Sequence, residues 1–347
     1  MKLEIIRPTL EETWGIHLGQ DAQLIEAGMK RNFGIATDAQ PALLSPASSG
    51  IPFWLSQFVD PEVIRILQAP NAGAEILGEQ KEGDWTVQTA TFMVVENTGF
   101  VGPYGDFNTN GRSDANVTWT NRQSYLFQTI VEYGDLQVDR AGLARLNWVG
   151  ELQTSAALTL DKFLDYSYHF GIAGLMNYGL LNDPSLPAAL VPATKAAGGA
   201  KWINNGAIVA TANEIYGDIQ SLILDIVTRS AGLFKEQDAC TLVMPPQARV
   251  ALTATNVYGI NVYALLKENY PNLKIVTSYR YATTAGNVVQ LWADRFQGNK
   301  TGICAFVEKL RDHQIVRDLS AYRQKKTSGT WGAIIRYPVA VAQMLGV

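Results

Sequence analysis

The strongest periodicity in the chain lies over residues 139–172. Leu143, Leu146, Val149, Leu152, Ala156, Leu160, Phe163 and Leu164 recur at three- and four-residue spacing, and no proline follows until Pro184. That is one apolar helical stripe, with Asp139 placed to cap it. Unbroken, such a helix runs roughly 50 Å, several times the usual length. Gly150 is a local weak point.

Upstream the period changes to two. WTVQTATFMVVE (85–96) is dense in Thr, Val and aromatics, which favours strand. Val117, Trp119, Tyr125, Phe127, Val131 and Tyr133 then share one parity, the mark of a half-buried strand. Between these runs lies GFVGPYGDFNTNGRSDAN (99–116), rich in turn residues. The pattern predicts a long β-hairpin within 76–133. An isolated hairpin is marginal in water, so this one needs a surface to lie on, its own or a neighbour's.

Residues 213–295 predict a separate α/β unit. NEIYGDIQSLILDIVTRSAGLF is helical, with Ile219, Leu222, Ile223, Ile226 and Val227 on one side. CTLVMP, LKIVTS and NVVQLWA are short strands, and PQARVALTA and NVYALLKENY are helices. The later runs ICAFVEK and TWGAIIRYPVAVAQML are expected to return to the domain holding the long helix. The α/β unit then becomes an insertion in a discontinuous domain.

Residues 1–60 form an arm. A short amphipathic stretch at 21–31 precedes GIATDAQPALLSPASSGIP (34–52), an extended connection with little to pack. Phe53 and Trp54 follow, and they suit docking on another surface or packing on their own domain. Pro61 opens a short helix, PEVIRILQAP. Residues 182–206 are a loop-rich excursion with three prolines.

Composition narrows the function. Among 347 residues, a size for two domains or one large one, only 17% are charged, below the usual quarter. Much of that surface is then expected to be covered by something, copies of the chain itself being one candidate. The net charge of -4 argues against a dedicated nucleic-acid binder. MKLEIIRPTLEETW has acids where a signal peptide is apolar, and no apolar run is long enough to cross a membrane. Cys240 and Cys304 make no disulfide framework or zinc spacing and read as buried, reduced thiols.

No chemistry-bearing motif emerges. His17, His169 and His313 sit in no HExxH pattern, and GxSxG and GxxxxGK[ST] are missing from the sequence. GNKTG (298–302) lacks the first glycine of a phosphate loop, and the glycines at 99, 102, 105 and 111 suit turns. Asp135 and Asp139 read as loop and cap residues, and Arg323, Lys325 and Lys326 as a solvated turn. No cofactor and no metal are expected, and weight moves toward a structural or binding protein.

The order of elements resembles the major capsid protein of tailed bacteriophages, the Hong Kong 97-type fold. Particular carriers of the resemblance are GEQKEGDWT (78–86), GPYGDFNTNGRSD (102–114), FQTIVEYGDLQ (127–137) and GLLNDP (179–184). It implies an α+β Hong Kong 97-like capsid fold: an N-terminal arm (1–60), an extended β-hairpin loop (76–133), a peripheral domain (61–75, 134–212 and 296–347) with a long spine helix, and an inserted α/β axial domain (213–295). The function it implies is self-assembly, through pentamers and hexamers, into an icosahedral shell around double-stranded DNA, without enzymatic activity. The protein is then expected in the virion, and in the host cytoplasm during assembly. Packaged DNA would be met non-specifically, scaffold, portal and decoration proteins are possible partners, and no membrane is involved. Only about 60 residues precede the first domain, which implies a separate scaffold or none. Lys81 and Asn299 are of the types some relatives cross-link, but no cross-link is expected. The expected intersubunit contacts are Phe53 and Trp54 on the arm and Glu79, Lys81, Asp84, Trp85, Tyr104 and Arg112 on the hairpin. The alternatives are an encapsulin-like nanocompartment shell, another virion component of the same ancestry, and a soluble α/β enzyme with a non-standard site.

Overall fold

The computed structural model describes residues 70–143, 146–204 and 206–347. The expected arm, its helix at 21–31 and the contacts Phe53 and Trp54 lie outside these residues. In chain order the elements begin with α1 (Gly73–Leu77), β1 (Glu79–Lys81), β2 (Thr89–Phe100), β3 (Arg112–Gln123), β4 (Tyr125–Gly134), α2 (Asp135–Leu143) and α3 (Trp148–Phe170). The short β5 (Ile203–Asn204) and β6 (Ala207–Ile208) lead to α4 (Ala212–Arg229), β7 (Cys240–Met244), α5 (Pro246–Ala251), α6 (Val262–Asn269) and β8 (Leu273–Thr277). Then come β9 (Ala282–Thr283), β10 (Gly286–Ala293), β11 (Arg295–Phe296), β12 (Asn299–Lys300), β13 (Gly302–Asp312), β14 (Val316–Asp318), β15 (Ala321–Ile335) and β16 (Val341–Leu345). Among the described residues the chain divides into a larger unit, Asn71–Gln128, Leu164–Arg311 and Thr327–Val347, and a smaller one, Thr129–Phe163 and Asp312–Lys326.

The larger unit is built on a sheet in the order β16-β10-β7-β8, with β7 parallel to β8 and β10 antiparallel to both β7 and β16. Strand side chains alternate between faces, and here both faces are dry. Leu242, Met244, Val289, Leu291, Ala342 and Met344 face the stripe of α4, whose Ile215, Ile219, Leu222, Ile223 and Ile226 are all buried. Val243, Val288, Trp292 and Val341 form the other face with Ile76, Leu180 and Tyr281. A sheet covered on both sides reads as continuous apolar runs, and every residue of CTLVM in β7 is buried. The start of α4 is fixed by a capping box, Thr211 with Glu214. Inside, the Asp218 carboxylate accepts from Trp202 Nε1 at 2.7 Å and pairs with Lys195. A bond from Ala193 N–H (3.3 Å) adds to it, so the excursion before α4 is pinned to the helix by a satisfied buried charge.

Two expectations change. β16 completes the α/β sheet from beyond residue 295, because Val341 to Leu345 pair with Trp292 to Val288. β1 pairs in parallel with β13, Glu79 opposite Cys304 and Lys81 opposite Phe306, so the hairpin begins at Thr89 and not at 76. Trp331, Ile303, Ala305, Val307 and Ile334 form a separate small core, against which Val87, Ala90 and Phe92 pack.

In the smaller unit the predicted single helix is two. Asn147 breaks it: its Oδ1 accepts the Gly150 N–H at 3.2 Å and its carbonyl accepts from Glu151 N–H at 3.1 Å. This is an N-cap, and it starts α3 where a continuous helix would have run through. Ala156 and Leu160 are buried on α3, whereas α2 buries nothing and leaves Leu136 and Leu143 exposed. The strand run expected from Val117 is also two strands, with Ser124 between them. β3 pairs β2, and β4 pairs β15 instead.

Candidate functional site

The feature that stands apart from the cores is the β2–β3 blade. Twelve consecutive pairs run from Thr89 opposite Gln123 to Phe100 opposite Arg112, and twelve strand residues extend about 40 Å. Directly opposed residues share a face. One face carries Met93 with Trp119 and Val95 with Val117, an apolar cluster in which Met93 is 57% and Trp119 60% exposed. The other carries Phe92 with Thr120, Val94 with Thr118, Thr98 with Asp114 and Phe100 with Arg112. Large contiguous exposed apolar surface on a soluble chain marks a binding surface.

The blade is bare but its root is fixed. Arg122 makes a buried ion pair with Asp183 at 2.6 Å and lies 4.7 Å over the Tyr178 ring. Gln123 N–H donates to Met176 O, Asn177 Nδ2 to Gln123 O, and Ser124 Oγ to Val87 O. The distal loop is also ordered. Asn108 Nδ2 donates to Pro103 O at 2.7 Å, Asn110 N–H to Asn108 Oδ1 at 3.0 Å, and Tyr104 Oη to Asp106 at 2.8 Å. It presents Val101, Tyr104 and Phe107 almost fully to solvent. Such preorganisation lowers the entropy lost on binding.

The expected contact residues divide into two groups. Tyr104 is at the tip, and Arg112 opens β3 opposite Phe100. The other four lie on β1 and the turn after it. Glu79 accepts from Tyr168 Oη at 3.1 Å and pairs with Lys309. Lys81 is exposed. Asp84 accepts the Trp85 N–H at 2.7 Å, and Arg311 lies 5.1 Å over the Trp85 ring. Sequence reading missed the root pair Arg122–Asp183, although Asp183 sits within GLLNDP.

One trio has the composition of a hydrolytic triad: Ser278 Oγ is 2.9 Å from His169 Nε2, and Asp165 is next to the ring. The geometry makes it a structural lock. His169 Nδ1 is bonded to the Asp165 backbone carbonyl at 2.8 Å, not to its carboxylate. That carboxylate accepts from Arg280 Nε at 2.8 Å and from the N–H groups of Ala72 and Gly73 at 3.1 and 2.9 Å. His169, Asp165 and Ser278 are all buried, leaving a substrate no approach. Burial holds the His169 pKa below its ordinary value, against the opposing pull of Asp165. Burial likewise pushes the Cys240 thiol up to about 12 and that of Cys304 well above its ordinary value, so neither is a nucleophile at neutral pH. No cluster of metal-ligating side chains occurs among the described residues, nor a helix long and apolar enough to cross a membrane.

The fold matches phage shell proteins. The capsid of Myoviridae phage XM1 superposes with a TM-score of 0.69 at 16% identity, covering 86% of this chain and 99% of that one. The capsid of an empty GTA particle gives 0.53 at 12% identity over 85% and 96%. The Gordonia phage Cozz gives 0.52 at 12% over 89% and 99%. The α+β architecture is thus that of the Hong Kong 97-type capsid fold. Residues 42–346 match the family model of the Pa193 gp26 major capsid protein, and the chain belongs to that family. No curated protein matches it. Membership does not favour the nanocompartment or α/β-enzyme alternatives.

Proposed function

We propose that the chain is the coat subunit of a phage shell, self-assembling through pentamers and hexamers around double-stranded DNA, with no enzymatic activity. One observation carries the reading: a blade anchored by a buried ion pair and bare beyond Phe92, at Met93, Val95, Val117 and Trp119, in a member of a major capsid protein family. Among the described residues nothing lies against Met93, Val95, Val117 and Trp119, and a lattice of identical copies supplies the cover. The blade then acts as the extended loop, the α/β sheet as the axial domain and α3 as the spine of the peripheral domain. Tyr104 and Arg112 are blade contacts, and Glu79, Lys81, Asp84 and Trp85 act from its base. Phe53 and Trp54 act from the arm. A chain of net charge -4 meets packaged DNA without gripping it. Scaffold, portal and decoration proteins are candidate further partners of that assembly, which takes place in the host cytoplasm and ends in the virion.

The test is sedimentation velocity with negative-stain microscopy on the full chain. Closed shells, tubes or rings of five or six are expected. A monomer that persists when the neighbouring genes are co-expressed overturns the proposal. With assembly in hand, Trp85→Ala with Arg112→Ala should lower the yield of shells, and unchanged yield would remove those two residues from the interface.

A further inference from the structure

The tip of the blade holds two asparagines in opposite states. Asn108 is locked: its Nδ2 donates to Pro103 O at 2.7 Å and its Oδ1 accepts the Asn110 N–H at 3.0 Å. Thr109 follows it, and a β-branched side chain crowds the backbone nitrogen it stands beside. Asn110 is exposed, and its carboxamide makes no hydrogen bond among the described residues. Gly111 follows it. The strand pairing stops at Arg112, so the Gly111 N–H also has no acceptor among the described residues. With no Cβ, glycine leaves its nitrogen open to the side chain before it.

An unheld carboxamide beside an unheld glycine nitrogen is a reactive pair. The Gly111 nitrogen loses its proton and bonds to Asn110 Cγ. The Cγ–Nδ2 bond breaks, and ammonia leaves with the proton. The product is a closed succinimide ring. Water then opens it. Hydrolysis between the nitrogen and Cγ gives aspartate. Hydrolysis between the nitrogen and the Asn110 carbonyl carbon gives isoaspartate, whose backbone runs through the former side chain. Water is the only co-reactant, and nothing is oxidised or reduced.

We propose that Asn110 is a self-modification site: in the free subunit the Gly111 nitrogen converts it to aspartate and isoaspartate, and chains so altered do not enter shells. The second half rests on the coat-subunit reading. The tip has no slack to absorb the change. A Cβ placed on Gly102 would stand 2.8 Å from both Cβ and O of Asn110, so the two sides of the tip are already in close contact. Gly111 holds a φ of 108°, which an L side chain rarely adopts. Isoaspartate inserts a methylene into the backbone at this point and displaces Arg112, the first residue of β3. Either product also adds a negative charge to a tip that already carries Asp106 and Asp114, and an added charge at a contact surface slows or blocks docking.

The experiment uses the full chain. The free subunit is aged in mildly alkaline buffer and mapped by mass spectrometry, with the tryptic peptide ending at Arg112 reporting both asparagines of the tip. Asn110 should be found as acid, isoaspartate in excess of aspartate, with Asn108 still an amide. The same chain in guanidinium supplies the reference rate, and the folded chain should convert at a comparable one. Asn110→Gln should stay unaltered with an unchanged melt, because a glutamine must close a larger ring. An Asn110 that remains an amide in the folded chain while it converts in guanidinium overturns the site. The aged mixture is then offered for assembly. Shells should be depleted severalfold in isoaspartate relative to the unassembled fraction, and equal proportions would overturn the exclusion. If fresh chain never assembles, even with its neighbouring genes, the coat-subunit reading fails and the exclusion with it, while the mapped conversion at Asn110 still decides the site.

Discussion

β10 and β2 are strands of similar chemistry with opposite fates. In β10, Val288, Val289, Leu291 and Trp292 are all buried, one parity against α4 and the other against Leu180 and Tyr281. In β2, Met93, Val94 and Val95 are all substantially exposed. The apolar density that makes each a strand says nothing about where its cover comes from. The α/β sheet carries its cover in the same chain. The blade is anchored at one end only, and among the described residues nothing covers Met93, Val95, Val117 and Trp119; on the proposed reading a neighbouring copy does. That difference separates a residue needed for folding from one needed for assembly, and mutation can split them.

The largest effect is expected in the sheet. Ile219 is completely buried between α4 and the strands, and Ile219→Ala removes packed volume worth about 2–5 kcal/mol. Urea melts of the free subunit should show it. Trp119→Asp should do the reverse, abolishing shells in the sedimentation assay with a subunit melt close to that of the parent. If Trp119→Asp unfolds the subunit, the blade is part of its core and the comparison collapses.

The root pair comes next and tests how the blade is held. Arg122→Met leaves Asp183 buried without its cation, and breaking a buried pair in this way costs about 3–5 kcal/mol. Asp183 retains the N–H and hydroxyl of Ser185 at 2.9 and 2.6 Å, which places the expectation at the lower end. Arg122→Met with Asp183→Leu should recover much of the stability. Assembly that stays impaired in the double variant would show that the pair also sets the blade's direction.

Much of this fold is legible in the sequence because local rules and tertiary packing agree. The α4 stripe, the buried CTLVM strand and the long hairpin with its Gly/Asn turn all follow from periodicity. The misses have local causes. Asn147 can continue a helix or cap a new one, and only the three-dimensional outcome reveals the cap. Ser124 separates two strands of one parity, so the pattern cannot show that β4 leaves β3 for β15. β1 is three residues long, too short to carry a period, and its pairing with β13 is a long-range event. Of the proposed contact surface, Tyr104 at the tip and Arg112 at the start of β3 were placed by turn chemistry. The Met93–Trp119 face was not, since a half-buried strand and a bare one have the same alternation. Arg122 with Asp183 joins residues 61 positions apart, and no spacing announces that.

The smallest effect is a pH slope, and it belongs to the body alone. Burial disfavours the charged ring, so His169 is neutral at neutral pH: Nδ1 donates to the Asp165 carbonyl, which can only accept, and Nε2 is left to accept from the Ser278 hydroxyl. The charges facing it are the Asp165 carboxylate, which favours its protonation, and Arg280, which opposes it; burial outweighs both and keeps its pKa below 6.5. As pH falls through 6.5 the unfolded chain takes up a proton that the folded one refuses, so stability is lost on acidification, starting near that pH and continuing down to the folded pKa. The loss is at most about 1.4 kcal/mol per pH unit. His169→Gln keeps a donor and an acceptor but no titration, so urea midpoints between pH 7.5 and 5.5 should fall less steeply than in the parent. Equal slopes would mean that His169 does not carry the acid sensitivity. The blade carries no buried histidine, so Trp119→Asp should leave this slope untouched, and a change in it would mean that blade and body are coupled in the free subunit.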